Sequence, residues 1–102
     1  MEEVKVLGMD GENLVVELSG EIHSGNADAF YETVMAAYKK SPANILFDGE
    51  KLEFIDSTTL GAFVKILKAV RTDGKKMSLK NLQAKIKKLF VICSLDTIME
   101  IA

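Results

Sequence analysis

One cysteine, Cys93, and one histidine, His23, set the first limits on this chain. A lone cysteine cannot close an internal disulfide, so no oxidising compartment is implied. One histidine and one cysteine are too few for a usual structural zinc site, and neither metal nor cofactor is expected. No apolar segment approaches the roughly 18 residues needed to cross a bilayer. The start, Met1-Glu2-Glu3-Val4-Lys5, lacks the basic stretch and apolar run of a secretory signal. A cytoplasmic protein without membrane contact is the expectation. Neither glycine-rich phosphate-binding loop occurs. A single proline and 27% charged residues argue against disorder. Repeats, low-complexity stretches and linkers are also missing.

What remains is 102 residues, 48% of them hydrophobic. That fits one domain, 1–102, able to form a core without staples while burying only roughly two-thirds of its unfolded surface. The net charge of −2 is unevenly placed: residues 1–56 hold 12 acidic and 4 basic side chains, residues 57–102 hold 9 basic and 3 acidic. A basic half can mean nucleic-acid contact. Here the lysines come without an aromatic or arginine-rich base-reading pattern, so two oppositely charged parts of one surface is the plainer reading, and no direct nucleic-acid partner is expected.

Val4 to Met9 is a short apolar run, followed by Asp10-Gly11 and the alternating Leu14, Val16 and Leu18; this predicts a hairpin with one buried face. Ser24, Gly25, Asn26 and Asp28 are helix-start signals. Phe30, Val34, Ala37 and Tyr38 then mark one helical face, and Ser41-Pro42 stops it. Asn44 to Asp48 reads as a central strand covered on both sides, ending in a turn at Asp48-Gly49-Glu50. Leu60, Phe63, Val64, Leu67 and Val70 form the stripe of a second helix, closed by Asp73-Gly74. Met77-Ser78-Leu79 is a brief strand. Asn81 can cap a third helix with Leu82, Ile86, Leu89, Phe90 and Cys93 as its buried stripe, which makes Cys93 plain core. Ile98 to Ile101 is either a last short strand or a helical turn. The order ββαβαβα plus tail implies an α/β fold with parallel crossovers.

The segment most informative about function is Phe54-Ile55-Asp56-Ser57-Thr58-Thr59-Leu60-Gly61. It leaves a predicted parallel strand and opens a helix, the place where ligand and partner sites collect in such folds. A phosphate there would meet free N–H groups and the positive end of the helix dipole. On the residues alone, the plainer reading is that Asp56 or Ser57 is merely the helix N-cap. Ser57, His23 and an acid such as Asp48 could supply a hydrolytic triad on paper, but no Gly-x-Ser-x-Gly elbow surrounds Ser57. His23, in the loop before the first helix, reads as a solvated loop residue that could also touch a ligand.

Taken together, Asp56-Ser57-Thr58-Thr59-Leu60-Gly61, Leu18-Ser19-Gly20-Glu21-Ile22, Ile45-Leu46-Phe47-Asp48, Leu52-x-Phe54-Ile55-Asp56 and Ile86-Lys87-Lys88-Leu89-Phe90 resemble the STAS domain of anti-sigma factor antagonists in order and spacing, over nearly the whole chain. The resemblance implies a STAS-like α/β fold: a small mixed sheet of about four to five strands, an N-terminal hairpin and three or more helices. It implies a regulator without enzymatic activity, acting by partner switching. Ser57 would be phosphorylated by a serine kinase that doubles as the anti-sigma factor, and a serine phosphatase would reset it. Asp56, Ser57, Thr58, Thr59, Gly61, His23 and Glu21 would form the partner-binding set, on a monomer or weak dimer. Thr59 stands where the family usually has glycine, adding a β-branched side chain at the partner-facing helix start. His23 stands where many members have aspartate. Two other functions fit less of the sequence: a STAS module outside sigma control, such as a lipid-transport accessory subunit or signalling scaffold, and a small nucleotide-binding or hydrolytic protein using Ser57 and His23.

Overall fold

The hairpin turn is set by Gly11, whose φ of 63° is the left-handed geometry that glycine enters without steric cost. It joins strand β1 (Val4–Asp10) to β2 (Asn13–Ile22), which pair antiparallel. In the computed structural model, which describes all 102 residues, the chain continues through α1 (Ala27–Lys40), β3 (Asn44–Ile55), α2 (Ser57–Thr72), β4 (Met77–Lys80) and α3 (Ala84–Ile92). A 3-10 turn at Leu95–Thr97 and a short strand, β5 (Glu100–Ile101), close it. Of the two elements between which Ile98 to Ile101 left a choice, that segment holds the short strand, and the helical turn comes just before it. The sheet order is β1-β2-β3-β4-β5, with β2 to β5 parallel. This is the mixed α/β sheet with N-terminal hairpin expected from the sequence.

Four phenylalanines, one from each neighbouring element, close the core. Phe63 of α2 meets Phe30 of α1, Phe47 of β3 and Phe90 of α3 at ring-centroid distances of 5.0, 5.2 and 5.4 Å, all edge-on. This is the geometry aromatic quadrupoles favour. Because Phe30 and Phe63 both meet Phe47, and Phe90 packs on Phe63 in turn, the helices lie over one face of the sheet. Leu46 and Asp48, on the opposite face of β3, are only half-buried. The expectation of a central strand covered on both sides is therefore corrected. The helices α1 and α2 are also tied at their C-terminal ends, where the Tyr38 hydroxyl donates to Asp73 Oδ2 at 2.7 Å. Burial, with the Asp73 carboxylate second, pushes the Tyr38 phenol up to about 12.

Three further expectations are corrected. The trio Asp48-Gly49-Glu50 does not end β3. The strand passes through it to Ile55, and the pairing with β2 slips by one residue between Glu17 and Ser19. A turn-prone trio is thus absorbed as a bulge, and Leu82 packs on the bare face of Gly49. Asn81 does not cap α3; its own backbone is left-handed at φ 62°, its amide donates to Asp48 Oδ1 at 3.3 Å, and Gln83 occupies the cap position. Cys93 is exposed and is not core. The helix α3 is only nine residues long, so Ile86 and Phe90 suffice to bury its inner face, while Leu89, Val91 and Ile92 face outward.

Candidate functional site

Helix α2 begins directly at the carboxyl end of β3. Asp56 is its N-cap, in extended geometry, and accepts from the Thr59 N–H at 3.0 Å through Oδ1. The second carboxylate oxygen, Oδ2, accepts from the Ser24 N–H at 2.9 Å, reaching across to the loop that precedes α1. One side chain therefore joins the entries of two helices. The Thr59 N–H bond, assisted by those from Ser24 and the Thr59 hydroxyl and by the neighbouring His23, holds the Asp56 carboxyl below its ordinary 3.8; partial desolvation works the other way. Of the two residues that the sequence offers as the cap, the geometry uses Asp56.

Thr59 completes the joint from inside. It is fully buried, and its hydroxyl donates to the Ile22 carbonyl at the end of β2 and lies 3.0 Å from Asp56 Oδ1. This corrects its placement among partner-contacting side chains: Thr59 turns inward and presents no side-chain surface. It is a positioning residue. Thr59→Val keeps the shape but leaves the buried Ile22 carbonyl without its donor, a loss of about 1–3 kcal/mol. Urea denaturation of Thr59→Val and Thr59→Ser is the check. The serine variant, which keeps the hydroxyl, should recover most of the loss; a valine variant as stable as the parent would remove the role assigned to this hydroxyl.

With Asp56 and Thr59 committed to the fold, Ser57 and Thr58 are left at the first two helical positions, both exposed and outside this hydrogen-bond network. Gly61, one turn on, is exposed, and a Cβ built there meets no neighbouring atom within 4 Å. Glycine in a helix interior costs roughly 0.5–1 kcal/mol relative to alanine, and nothing in the chain's own packing requires it at this position.

The adjoining loop is organised by its own short-range bonds. Asn26 Oδ1 accepts from the His23 N–H at 2.8 Å, Asn26 Nδ2 donates to the Glu21 carbonyl at 3.0 Å, and His23 Nδ1 accepts from the Gly25 N–H at 3.0 Å. His23 is thus a half-buried loop brace rather than a freely solvated side chain. Glu21 is exposed and pairs in register with Phe54 on β3. Phe54, which sequence reasoning did not place in the site, is 47% exposed. Its signal is the spacing of Leu52 and Ile55, which are buried while the two residues between them face outward. Ser57, Thr58, Gly61, Glu21, His23 and Phe54 therefore share one end of the sheet. Among the side chains no cluster of three metal-ligating groups forms, and no helix is long and apolar enough to cross a membrane.

Comparison with known proteins gives the same architecture. Residues 4–102 match the family model described as the STAS domain. The anti-sigma-B factor antagonist of Bacillus subtilis is 29% identical over 90 residues, covering 88% of this chain and 82% of that protein. A Thermotoga maritima crystal structure, described as a candidate anti-sigma factor antagonist, is 28% identical with a TM-score of 0.79, covering 96% of this chain and 82% of that one. The unphosphorylated form of the anti-sigma factor antagonist SpoIIAA shares the fold with a TM-score of 0.75 at 17% identity, over 97% of this chain and 86% of its own. The fold thus belongs to a recognised scaffold, and this chain is a member of the STAS-domain family.

Proposed function

We propose that this protein is an anti-sigma factor antagonist that acts by partner switching. With Ser57 unmodified, the surface at the start of α2 binds an anti-sigma factor that is also a serine kinase. Phosphorylation of Ser57 ends that contact, and a serine phosphatase restores it. The chain performs no chemistry of its own in this scheme and works in the cytoplasm.

The observation that carries the reading is the division of labour at the helix start. Asp56 takes the cap, so the neighbouring Ser57 hydroxyl is exposed and uncommitted. A kinase can reach it without dismantling the fold, and a phosphate there lies at the positive end of a 16-residue helix with free N–H groups nearby. Bare backbone at Gly61 permits close approach of a partner, and exposed Phe54, Glu21, His23 and Thr58 border the same spot. The relatives named anti-sigma-B factor antagonist support the partner class.

Incubation with ATP and the anti-sigma kinase captured from the native cell is expected to add one phosphate by intact mass, and Ser57→Ala is expected to abolish it. Thr58 is the exposed alternative. A phosphate that persists in Ser57→Ala would assign the switch to that hydroxyl, and no phosphate on the parent chain would sink the scheme.

A further inference from the structure

The sheet has two edges, and they differ. β5 offers two residues, whereas β1 offers seven, from Val4 to Asp10. Along β1 the side chains of Val6, Leu7 and Met9 are 37%, 52% and 49% exposed. A long edge carrying apolar side chains and unpaired backbone groups is a template for another strand. Lys5 and the bulge at Leu7, between the pairs Val6–Val16 and Gly8–Val15, are devices that ordinarily protect such an edge.

We infer that β1 is a self-pairing surface, on which a second copy of this chain docks antiparallel to form a weak two-fold dimer. The argument is one of register. Opposed residues in adjacent strands must share a sheet face. Lys5, Gly8 and Asp10 pair with Glu17, Val15 and Asn13 and so lie on the open face, while Val6 and Met9 pair with Val16 and Leu14 and lie on the helix-covered face. Because of the bulge, Val6 and Met9 have the same facing although they are three residues apart. Setting Lys5 opposite the partner's Asp10 puts Val6 opposite Met9 and Leu7 opposite Gly8, and the two-fold repeats each pair. The facing agrees at every pair that the register with β2 fixes, opposite charges meet twice, and Val6 and Met9 cover one another. The two bulges coincide, with the glycine giving room to the leucine.

Neighbouring registers fail. A slip of one residue sets Val6 against Gly8 or against Asp10, on opposite faces. A slip of two keeps the facing in one direction only, and there Glu3 meets Asp10. The devices that protect the edge against foreign strands are therefore self-complementary. One strand pair falls short of the roughly 1,600 Å² of a standard stable interface, so the association is weak. Antiparallel pairing also points the two copies' Ser57 ends in opposite directions, which leaves both free; the inference does not depend on the function of that site.

Sedimentation of the full chain across concentrations is the test, using Lys5→Asp, Asp10→Lys and their equimolar mixture. Both positions are exposed, and circular dichroism confirms that each variant is folded. The parent should show concentration-dependent dimers. Each single variant sets like charges opposite one another and should dimerise roughly tenfold or more weakly. The mixture should recover the dimer, because every position 5 then meets a position 10 of opposite sign. A parent chain that stays monomeric up to about 1 mM, the weak end of measurable affinity, overturns the inference and leaves the edge to a foreign strand or to water. A dimer unchanged in both variants places the contact elsewhere, and loss in the variants without recovery in the mixture refutes the register.

Discussion

Phe63→Ala is expected to destabilise the protein by about 3–5 kcal/mol, the usual range for removing a buried phenylalanine. Phe63 is fully buried, and its ring is the one shared by three edge-on pairs that join α1, α2, α3 and β3. Each such pair contributes roughly 0.5–1.5 kcal/mol beyond its buried area. Collapse around the vacancy is restricted, since Phe30 and Phe47 are also in contact with each other, at 6.0 Å, and sit on different elements. A domain of this size has only about 5–15 kcal/mol in all, so the melting temperature should fall by more than about 10 °C. Phe54→Ala is the matched control. Phe54 is 47% exposed, and its truncation should stay within about 0.5 kcal/mol. Urea denaturation of the two variants gives the contrast directly. A Phe63→Ala protein within about 1 kcal/mol of the parent, on the same scale, would mean that the aromatic cluster is not where the stability lies.

That contrast shows what a residue pattern carries and what it does not. The stripe through Leu60, Phe63, Leu67 and Val70 was legible because a 16-residue helix repeats its facing often enough to reveal which side is buried. The nine-residue α3 repeats it too seldom: Leu89 sits on its outward side and Cys93 falls just past its end, although both read as core in the sequence. Strand facing fails where the period of two is broken. Bulges near Leu7 and Gly49 shift the alternation, hiding the true length of β3 and the self-complementary facing of β1. Helix-start chemistry was legible as a type, an acid followed by hydroxyls. Which group took which task was not, because the choice depends on atoms far away in sequence: the Ser24 N–H, 32 residues from Asp56, and the Ile22 carbonyl, 37 residues from Thr59. These long-range partners turned Thr59 inward and left Ser57 outside the joint.

The freedom of Ser57 leads to the second large effect, on binding rather than on folding. A phosphoserine carries about −1.5 to −2 charges at neutral pH. At the amino end of α2 the dipole favours negative charge by roughly 0.3–1 kcal/mol, while Glu53 and Asp56, close in sequence, oppose it. The two effects are similar in size. Since Asp56, not Ser57, caps the helix, replacing Ser57 breaks no bond of the Asp56–Thr59 joint. Ser57→Asp, a mimic with less charge than phosphate, should therefore melt within a few degrees of the parent. A partner covering Ser57 must desolvate the new charge, which is costly unless it supplies matching cations. Only about 1.4 kcal/mol is needed for a tenfold loss, and Ser57→Asp should bind the anti-sigma partner at least about tenfold more weakly. Ser57→Ala, which adds no charge, should bind within a few-fold of the parent. Titration calorimetry on the pair, with melting curves for each variant, reads both halves. Equal binding by Ser57→Asp would move the switch away from Ser57. Unfolding of Ser57→Asp would show that this hydroxyl carries structural weight beyond the cap that Asp56 supplies. Equal weakening by Ser57→Ala and Ser57→Asp would mean that the partner reads the hydroxyl itself and not the charge placed on it.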